Sequence, residues 1–258
     1  MLTKKYPIVR ITSDNIEKLE DEVVAEGAVQ INLNDTELAT LLCSPYEERE
    51  LGTGFLFTEG FIDSADDILG FEQKGQSLYF TIDPERFSKE TSVQRYITSG
   101  CGRGASFELA RKSLKLKNKE KGKSLKVSAE QIFKLMSNFQ KRSEVFKSTG
   151  GVHSAAICSV SELLFFSEDI GRHNAVDRVI GSLILKRIPL HDKLLLSSGR
   201  ISSEIARKVA FADIPIFVSR SAPTDMALKI AAELGLTVAG FARGSRMNVY
   251  THGDRIKA

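Results

Sequence analysis

The sequence predicts an α/β protein, a helix-covered sheet preceded by a smaller N-terminal α+β subdomain, and three observations predict it. From Ser154 onward, short apolar runs alternate with amphipathic segments of helical length, the pattern that crossover helices between parallel strands impose. Before residue 110 the chain reads instead as strands grouped around one helix and a hairpin. Between the two, residues 111–126 (RKSLKLKNKEKGKSLK) are rich in cations and poor in apolar pattern, as a solvated linker is. The expected organisation is an α+β subdomain over 1–110, a basic linker over 111–127 and an α/β domain over 128–258.

In order along the chain, 22–33 (EVVAEGAVQINL) and 37–43 read as strands separated by a turn at Asn34-Asp35. Ser44-Pro45 reads as an N-cap with proline at the first helical position, opening a helix over 46–58 that Gly60 ends. Segments 71–74 and 78–82 flank Gly75-Gln76 as a hairpin. Ser128 and Gln131 have capping-box spacing at the head of a helix over 128–146. Strands follow at 154–160 and 163–167, then a helix over 174–186 that stops before Pro189. After them come strand 193–196, helix 202–212, strand 215–219, helix 225–234, strand 237–241 and a last strand at 247–251.

Composition narrows the function classes. The 258 residues are 42% hydrophobic and 27% charged, with a net charge of +3, the ordinary range of a soluble globular chain. No apolar run reaches bilayer length, and the opening MLTKKYPIVRITSDN has no apolar signal core; neither membrane nor export is expected, and nucleic acid is not an expected partner. Cys43, Cys101 and Cys158 are odd in number and far apart, which fits a reducing cytoplasm better than a disulfide framework. Zinc-site spacing is missing, so no metal ligands are assigned.

In open α/β sheets, ligands gather where strand ends lead into helix N-termini. Four such loops share a composition: Asp169-Ile170-Gly171-Arg172-His173, Ser197-Ser198-Gly199-Arg200, Ser219-Arg220-Ser221-Ala222-Pro223-Thr224 and Ala242-Arg243-Gly244-Ser245-Arg246. Each joins a turn-permitting residue, a hydroxyl or backbone donor, and a cation, the combination that holds phosphate. One such loop is an ordinary helix cap, but several at equivalent positions point to an anionic ligand. There is no Gly-x-Gly-x-x-Gly run and no Walker lysine, which argues against a standard dehydrogenase or ATPase. Phe241 offers either a stacking surface for a base or a core side chain. His153 and His173, next to glycines at element boundaries, serve either a ligand or a structural hydrogen bond.

Cys101 stands apart in Thr98-Ser99-Gly100-Cys101-Gly102-Arg103-Gly104. Its flanks are glycine and polar, and Arg103 favours the thiolate, so Cys101 is the candidate reactive thiol. Cys43 and Cys158 sit in strand-like apolar runs and read as core residues.

These motifs together resemble the FdhD family of formate dehydrogenase accessory sulfurtransferases over nearly the whole chain. The resemblance is carried by Leu41-Leu42-Cys43-Ser44-Pro45, Ser99-Gly100-Cys101-Gly102, Thr149-Gly150-Gly151-Val152-His153-Ser154 and Ser198-Gly199-Arg200. Ser219-Arg220-Ser221-Ala222-Pro223 and Gly240-Phe241-Ala242-Arg243-Gly244 add to it, and the most specific block is Glu168-Asp169-Ile170-Gly171-Arg172-His173-Asn174-Ala175-Val176-Asp177. The resemblance implies a cytoplasmic sulfurtransferase with a cytidine-deaminase-like three-layer α/β domain without zinc ligands. It implies that Cys101 receives persulfide sulfur from a cysteine desulfurase. The sulfur then passes to the bis-molybdopterin guanine dinucleotide form of the molybdenum cofactor, destined for formate dehydrogenase. The implied cofactor-binding set is Phe241, Ala242, Arg243, Gly244, Ser245 and Arg246, joined by His153, Arg172, His173, Asn174, Ser198, Arg200 and Ser221 from the other loops. A ligand with two nucleotide arms suits a two-fold homodimer.

One departure stands out. The family often carries Cys-Gly-x-Cys-Gly, where this chain has Cys101-Gly102-Arg103-Gly104-Ala105. Exchange between neighbouring thiols is then unavailable, and a single-thiol carrier is expected. The rival readings are a cofactor-binding chaperone that moves no sulfur and, from the fold alone, a nucleotide-base hydrolase.

Overall fold

The computed structural model describes residues 2–86 and 125–257. Its centre is a six-stranded mixed sheet built from β8 (His153–Cys158), β9 (Leu163–Asp169), β10 (Leu194–Ser197), β11 (Ile216–Ser219), β12 (Thr237–Arg243) and β13 (Arg246–Thr251), in the order β13-β12-β11-β10-β8-β9. Only β10, β11 and β12 run parallel. At both edges of the sheet, β8–β9 and β12–β13 are antiparallel pairs. Their connections are a few residues long, and a parallel return needs a crossover of a dozen or more.

Strand residues alternate between two cores, as a period of two requires. Leu195, Phe217 and Val238 face one core, while Leu194, Leu196, Ile216, Val218 and Ala239 face the other. The second core is closed by α2 (Ala129–Arg142) through Ile132, Leu135, Met136 and Phe139. The first is covered by α4 (Arg172–Leu185), α5 (Ser203–Phe211) and α6 (Asp225–Leu234). Helices on both faces are as expected.

The N-terminal part is not separated from this core. A four-stranded sheet, β3 (Gly27–Leu33), β4 (Thr36–Cys43), β5 (Gly70–Lys74) and β6 (Ser77–Thr81) in the order β4-β3-β6-β5, carries α1 (Glu48–Thr58). Its residues Val29, Ile31, Leu33 and Phe80 belong to the same hydrophobic cluster as Val176, Val179 and Ile180 of α4. The helices α1 and α4 touch backbone to backbone at Gly54 and Gly181: a Cβ on Gly54 would lie 1.8 Å from the Asp177 carbonyl oxygen, and one on Gly181 would lie 2.0 Å from that of Glu50. Only glycine allows this approach. Of the linker expected at 111–127, residues 111–124 lie outside the described residues. Val127 begins the two-residue β7 (Val127–Ser128), which pairs with β14 (Ile256–Lys257).

Local expectations fared unevenly. The Asn34-Asp35 turn forms with both residues at positive φ, and the Gly75-Gln76 hairpin forms as read. The capping box at Ser128 and Gln131 is closed in both directions. The run 22–33 is two strands, because the chain leaves β2 (Ile16–Val24) before entering β3, and β2 pairs with β1 (Thr3–Ile11), which hydrophobic pattern did not reveal. The helix expected over 128–146 breaks at Ser143, whose hydroxyl donates to the Phe139 carbonyl, and α3 (Glu144–Thr149) follows. Ser44 is not a helix cap: α1 starts at Glu48, after Glu47 in the left-handed region, with no side-chain cap. The Ser44 amide donates instead to Asp169 Oδ2 at 3.1 Å, and its hydroxyl accepts from the Ile170 amide. A partner 125 residues away overrode the local signal. Among the described residues, no helix is long and apolar enough to cross a membrane.

Candidate functional site

The carboxyl ends of β10, β11 and β12 meet the amino end of β8 and the amino end of α4 along one edge of the main sheet. The strand ends are stitched together. The Ser198 amide donates to the Ser154 carbonyl at 3.0 Å and the Ser154 amide to Ser198 Oγ at 2.9 Å. Ser219 Oγ donates to the Gly199 carbonyl at 2.6 Å, and the Arg220 amide to the Ser197 carbonyl at 3.0 Å. The Phe241 amide donates to the Ser221 carbonyl at 3.1 Å, and Arg243 Nε to the Arg220 carbonyl at 3.2 Å. Serine and glycine therefore build a rigid shelf, and arginine and histidine rest on it.

Gly199 makes the close seating possible, since a Cβ there would meet Arg172 Cβ at 3.1 Å and His153 Nδ1 at 3.5 Å. Arg172 and His173 open α4, whose N-cap is Gly171 without a side-chain cap. The neighbouring helices are capped by their own chains, Ser202 for α5 and Thr224 for α6. The α4 N-cap amide donates instead to Asp169 Oδ1 at 2.8 Å, a carboxylate that offsets part of the positive charge of the helix end.

Three polar atoms of this edge, Arg172 Nε, Arg220 Nε and His173 Nε2, are buried without a hydrogen-bond partner. Folded proteins leave few buried donors unpaired; the two arginine donors at one edge mark a place where a ligand's acceptors complete the set, while His173 Nε2 has the Glu204 carboxylate 3.1 Å away. The histidines are held neutral. Burial first, then the Arg172 charge, pulls His153 below its ordinary range. Burial, Lys208, Arg172 and His153 push His173 down to about 3. With Arg200 exposed at the end of the shelf, the edge is a cationic, donor-rich surface suited to phosphate. Among the described residues, no group of histidines, cysteines and carboxylates is arranged to hold a metal.

The structure thus brings together His153, Arg172, His173, Ser198, Arg200 and Ser221 from four separate loops. It turns Asn174 inward: the side chain is buried, and its amide donates to the Leu42 carbonyl at 2.7 Å and to Asp169 Oδ1 at 2.9 Å. The stretch from Phe241 to Arg246 is a β-hairpin and not a helix entry, because β12 runs through Arg243 and turns directly into β13. Ala242 is fully buried in the second core, whereas Phe241, Arg243, Gly244, Ser245 and Arg246 are exposed along the hairpin. Phe241 takes a positive φ of 53° at a break in the strand register, which lifts its ring out of the sheet alternation. Cys101 lies outside the described residues. Cys43 and Cys158 are buried, and burial pushes both thiols up to about 12, as suits core residues.

Sequence reading left Arg220 and Glu204 out of the site. Arg220 is one residue from the chosen Ser221, and its signal was present in Ser219-Arg220-Ser221. Glu204, whose carboxylate lies 3.1 Å from His173 Nε2, reads in sequence only as an acidic residue in the first turn of a helix.

The model of the FdhD/NarQ family matches residues 24–257. The chain is similar to the sulfur carrier protein FdhD of Bacillus subtilis (strain 168), at 39% identity over 259 residues, covering 99% of this chain and 98% of that one. It is similar to the sulfur carrier protein FdhD of Listeria monocytogenes serotype 4b (strain F2365), at 38% identity over 252 residues, covering 96% and 97%. Among solved structures, a putative formate dehydrogenase accessory protein from Desulfotalea psychrophila superposes with a TM-score of 0.81 at 25% identity, covering the whole of both chains.

Proposed function

Because the chain belongs to the FdhD/NarQ family, we propose that it is a sulfur carrier in the maturation of formate dehydrogenase. Cys101 is the carrier thiol. Its thiolate attacks the outer sulfur of a persulfide on a cysteine desulfurase, the desulfurase cysteine leaves as thiolate, and the sulfur stays on Cys101 as a persulfide. The other two cysteines are buried with their thiols kept protonated, which leaves Cys101 to do this chemistry.

The client of the second transfer is the bis-molybdopterin guanine dinucleotide cofactor, a substrate that the carrier passes on. The single observation that carries this reading is the edge where Arg172 Nε and Arg220 Nε are buried and unpaired. Pyrophosphate and nucleotide oxygens are the acceptors such donors need. Arg200, Ser198, Ser221 and His153 extend the same surface, and Phe241, Arg243, Gly244, Ser245 and Arg246 border it on the exposed hairpin. Two nucleotide arms suit two copies of this edge, hence a cytoplasmic homodimer.

Incubating the chain with desulfurase and cysteine, followed by mass spectrometry, is expected to show one added sulfur on Cys101. An unmodified Cys101 sinks the carrier role. A second reading, a cofactor-binding chaperone that moves no sulfur, is favoured by the lack of a second cysteine at Gly104. Cys101→Ala separates them: formate dehydrogenase activity in cells is lost if the chain transfers sulfur and retained if it only escorts the cofactor.

A further inference from the structure

The helices α4 and α5 face each other across two rungs. The deeper rung is Asp177 with Lys208, 2.7 Å apart and buried, and Lys208 also reaches Glu59 at 3.0 Å and Thr58 at 2.9 Å. Four residues toward each helix start, one turn along the same faces, stand His173 and Glu204, with Nε2 and Oε2 3.1 Å apart. The deeper rung fixes the spacing of the two helices. The outer rung borders the candidate site, with each side chain about a third exposed (31% and 30%).

His173 Nε2 is buried and its approach to Glu204 is out of line for a hydrogen bond. A small rotation of the ring completes that bond, and polar contacts in ligand-free sites commonly tighten in this way when the ligand arrives. The side chain as a whole is about a third exposed (31%), and Nδ1, unlike Nε2, is not one of its buried unpartnered atoms. The groups facing the imidazole are Lys208, Arg172 and His153 on one side of the charge balance and Glu204 on the other; burial first, and then the three cationic or basic neighbours, keep it neutral. A neutral imidazole carries one proton, and the partner of one nitrogen decides which nitrogen has it. A carboxylate only accepts, so Glu204 beside Nε2 places the proton there and leaves Nδ1 with a free lone pair. The arginines of the shelf, Arg172, Arg200 and Arg220, can only donate, while its serine hydroxyls and the neutral His153 can do either. An acceptor among donors selects the part of a ligand that carries N–H.

We infer that Glu204 is a positioning residue: it holds His173 as the Nε2–H tautomer, so that Nδ1 accepts an N–H from the 2-amino-4-oxopyrimidine ring that guanine and pterin share. This rests on the cofactor reading above for the ligand, while the tautomer itself is measurable without any ligand. The full chain labelled with 15N-histidine is expected to show the Nε2–H tautomer at His173. Titration with GDP and, separately, with pterin-6-carboxylate tells guanine from pterin as the source of the N–H. Glu204→Ala is expected to mix the tautomers and weaken the responding probe about tenfold, the scale of one hydrogen bond. Glu204→Gln, whose amide carbonyl still accepts, is expected to recover most of the affinity and the tautomer. An Nδ1–H tautomer in the wild type overturns the inference. So does a Glu204→Ala chain with unchanged tautomers, or one with altered tautomers and unchanged affinity for both probes. A wild-type chain that binds neither probe yet keeps the Nε2–H tautomer overturns the cofactor reading instead.

Discussion

Two clusters within one ten-residue block, Glu168 to Asp177, have opposite characters. In the inner cluster, Asp169 accepts from the Ser44 and Gly171 amides and from Asn174, and is paired with Arg178, both side chains being fully buried. Arg178 also donates to the Ser44 carbonyl and lies 4.1 Å over the Tyr46 ring. Glu168 accepts from the Val145 and Phe146 amides, and Asp177 binds Lys208 and Thr58. In the outer cluster, Arg172 Nε is buried with no hydrogen-bond partner among the described residues, and His173, on the same helix turn, has only the Glu204 carboxylate beside its buried Nε2. The residue types are alike, ionic and adjacent. What separates scaffold from site is charge compensation: Arg178 keeps Nε and Nη1 without a hydrogen bond, yet its charge is matched by Asp169 and the Tyr46 ring, whereas Arg172 has no carboxylate paired with it among the described residues.

The largest effect that tests this contrast is on folding. Asp169→Ala leaves Arg178 as an uncompensated buried charge and is expected to cost about 3–5 kcal/mol in denaturant unfolding. Arg172→Ala, by contrast, is expected to stay within about 0.5 kcal/mol of wild type. An equal loss in both would erase the distinction between the clusters. Next in size is ligand affinity: Arg172→Ala is expected to weaken GDP binding about ten- to a hundredfold, the range of a hydrogen bond to a charged group, read by calorimetry. Unchanged affinity would make the unpaired Nε a packing accident. A further effect is in the pH dependence of stability. Burial and nearby positive charge hold folded His173 near 3, below its ordinary 6.5, so between those values the unfolded chain binds a proton that the folded chain refuses. Stability is therefore full above about pH 6.5 and falls as pH drops through that window. His173→Gln is expected to flatten this slope in unfolding curves between about pH 4 and pH 7, where most of that window lies. A slope unaffected by the substitution would show that His173 is free to ionise in the fold.

Much of the fold could be read from pattern. Apolar runs and helix-length segments after Ser154 marked α4, α5, α6 and the main-sheet strands to within two or three residues, although α4 is buried nearly all round and β10 and β11 are buried on both faces. Strand direction was not legible across long connections, as in the antiparallel pairing of β8 with β10 across β9 and α4, and β1 escaped because its exposed residues, including Val9 and Ile11 at 54% and 71% exposure, leave no buried face to pattern it. The site was half legible. Loop composition picked out Arg172, Ser198, Arg200 and Ser221, which the sheet does bring to one edge. Composition could not tell that Asn174 and Ala242 turn inward, since their loops look the same from either side.

By itself, the sequence determined the family, the alternation of strands and helices, the inert character of Cys43 and Cys158, and the single-thiol nature of the segment around Cys101. These depend on residue type and spacing along the chain. Only the tertiary structure decided which charges are scaffold and which are site. Ser44 was claimed by Asp169 over the helix it precedes, Gly54 and Gly181 let two helices touch, and Glu204 came to face His173. Each of these outcomes depends on a partner more than 25 residues away in the chain, and a burial cost is cancelled or left standing only once that partner is in place.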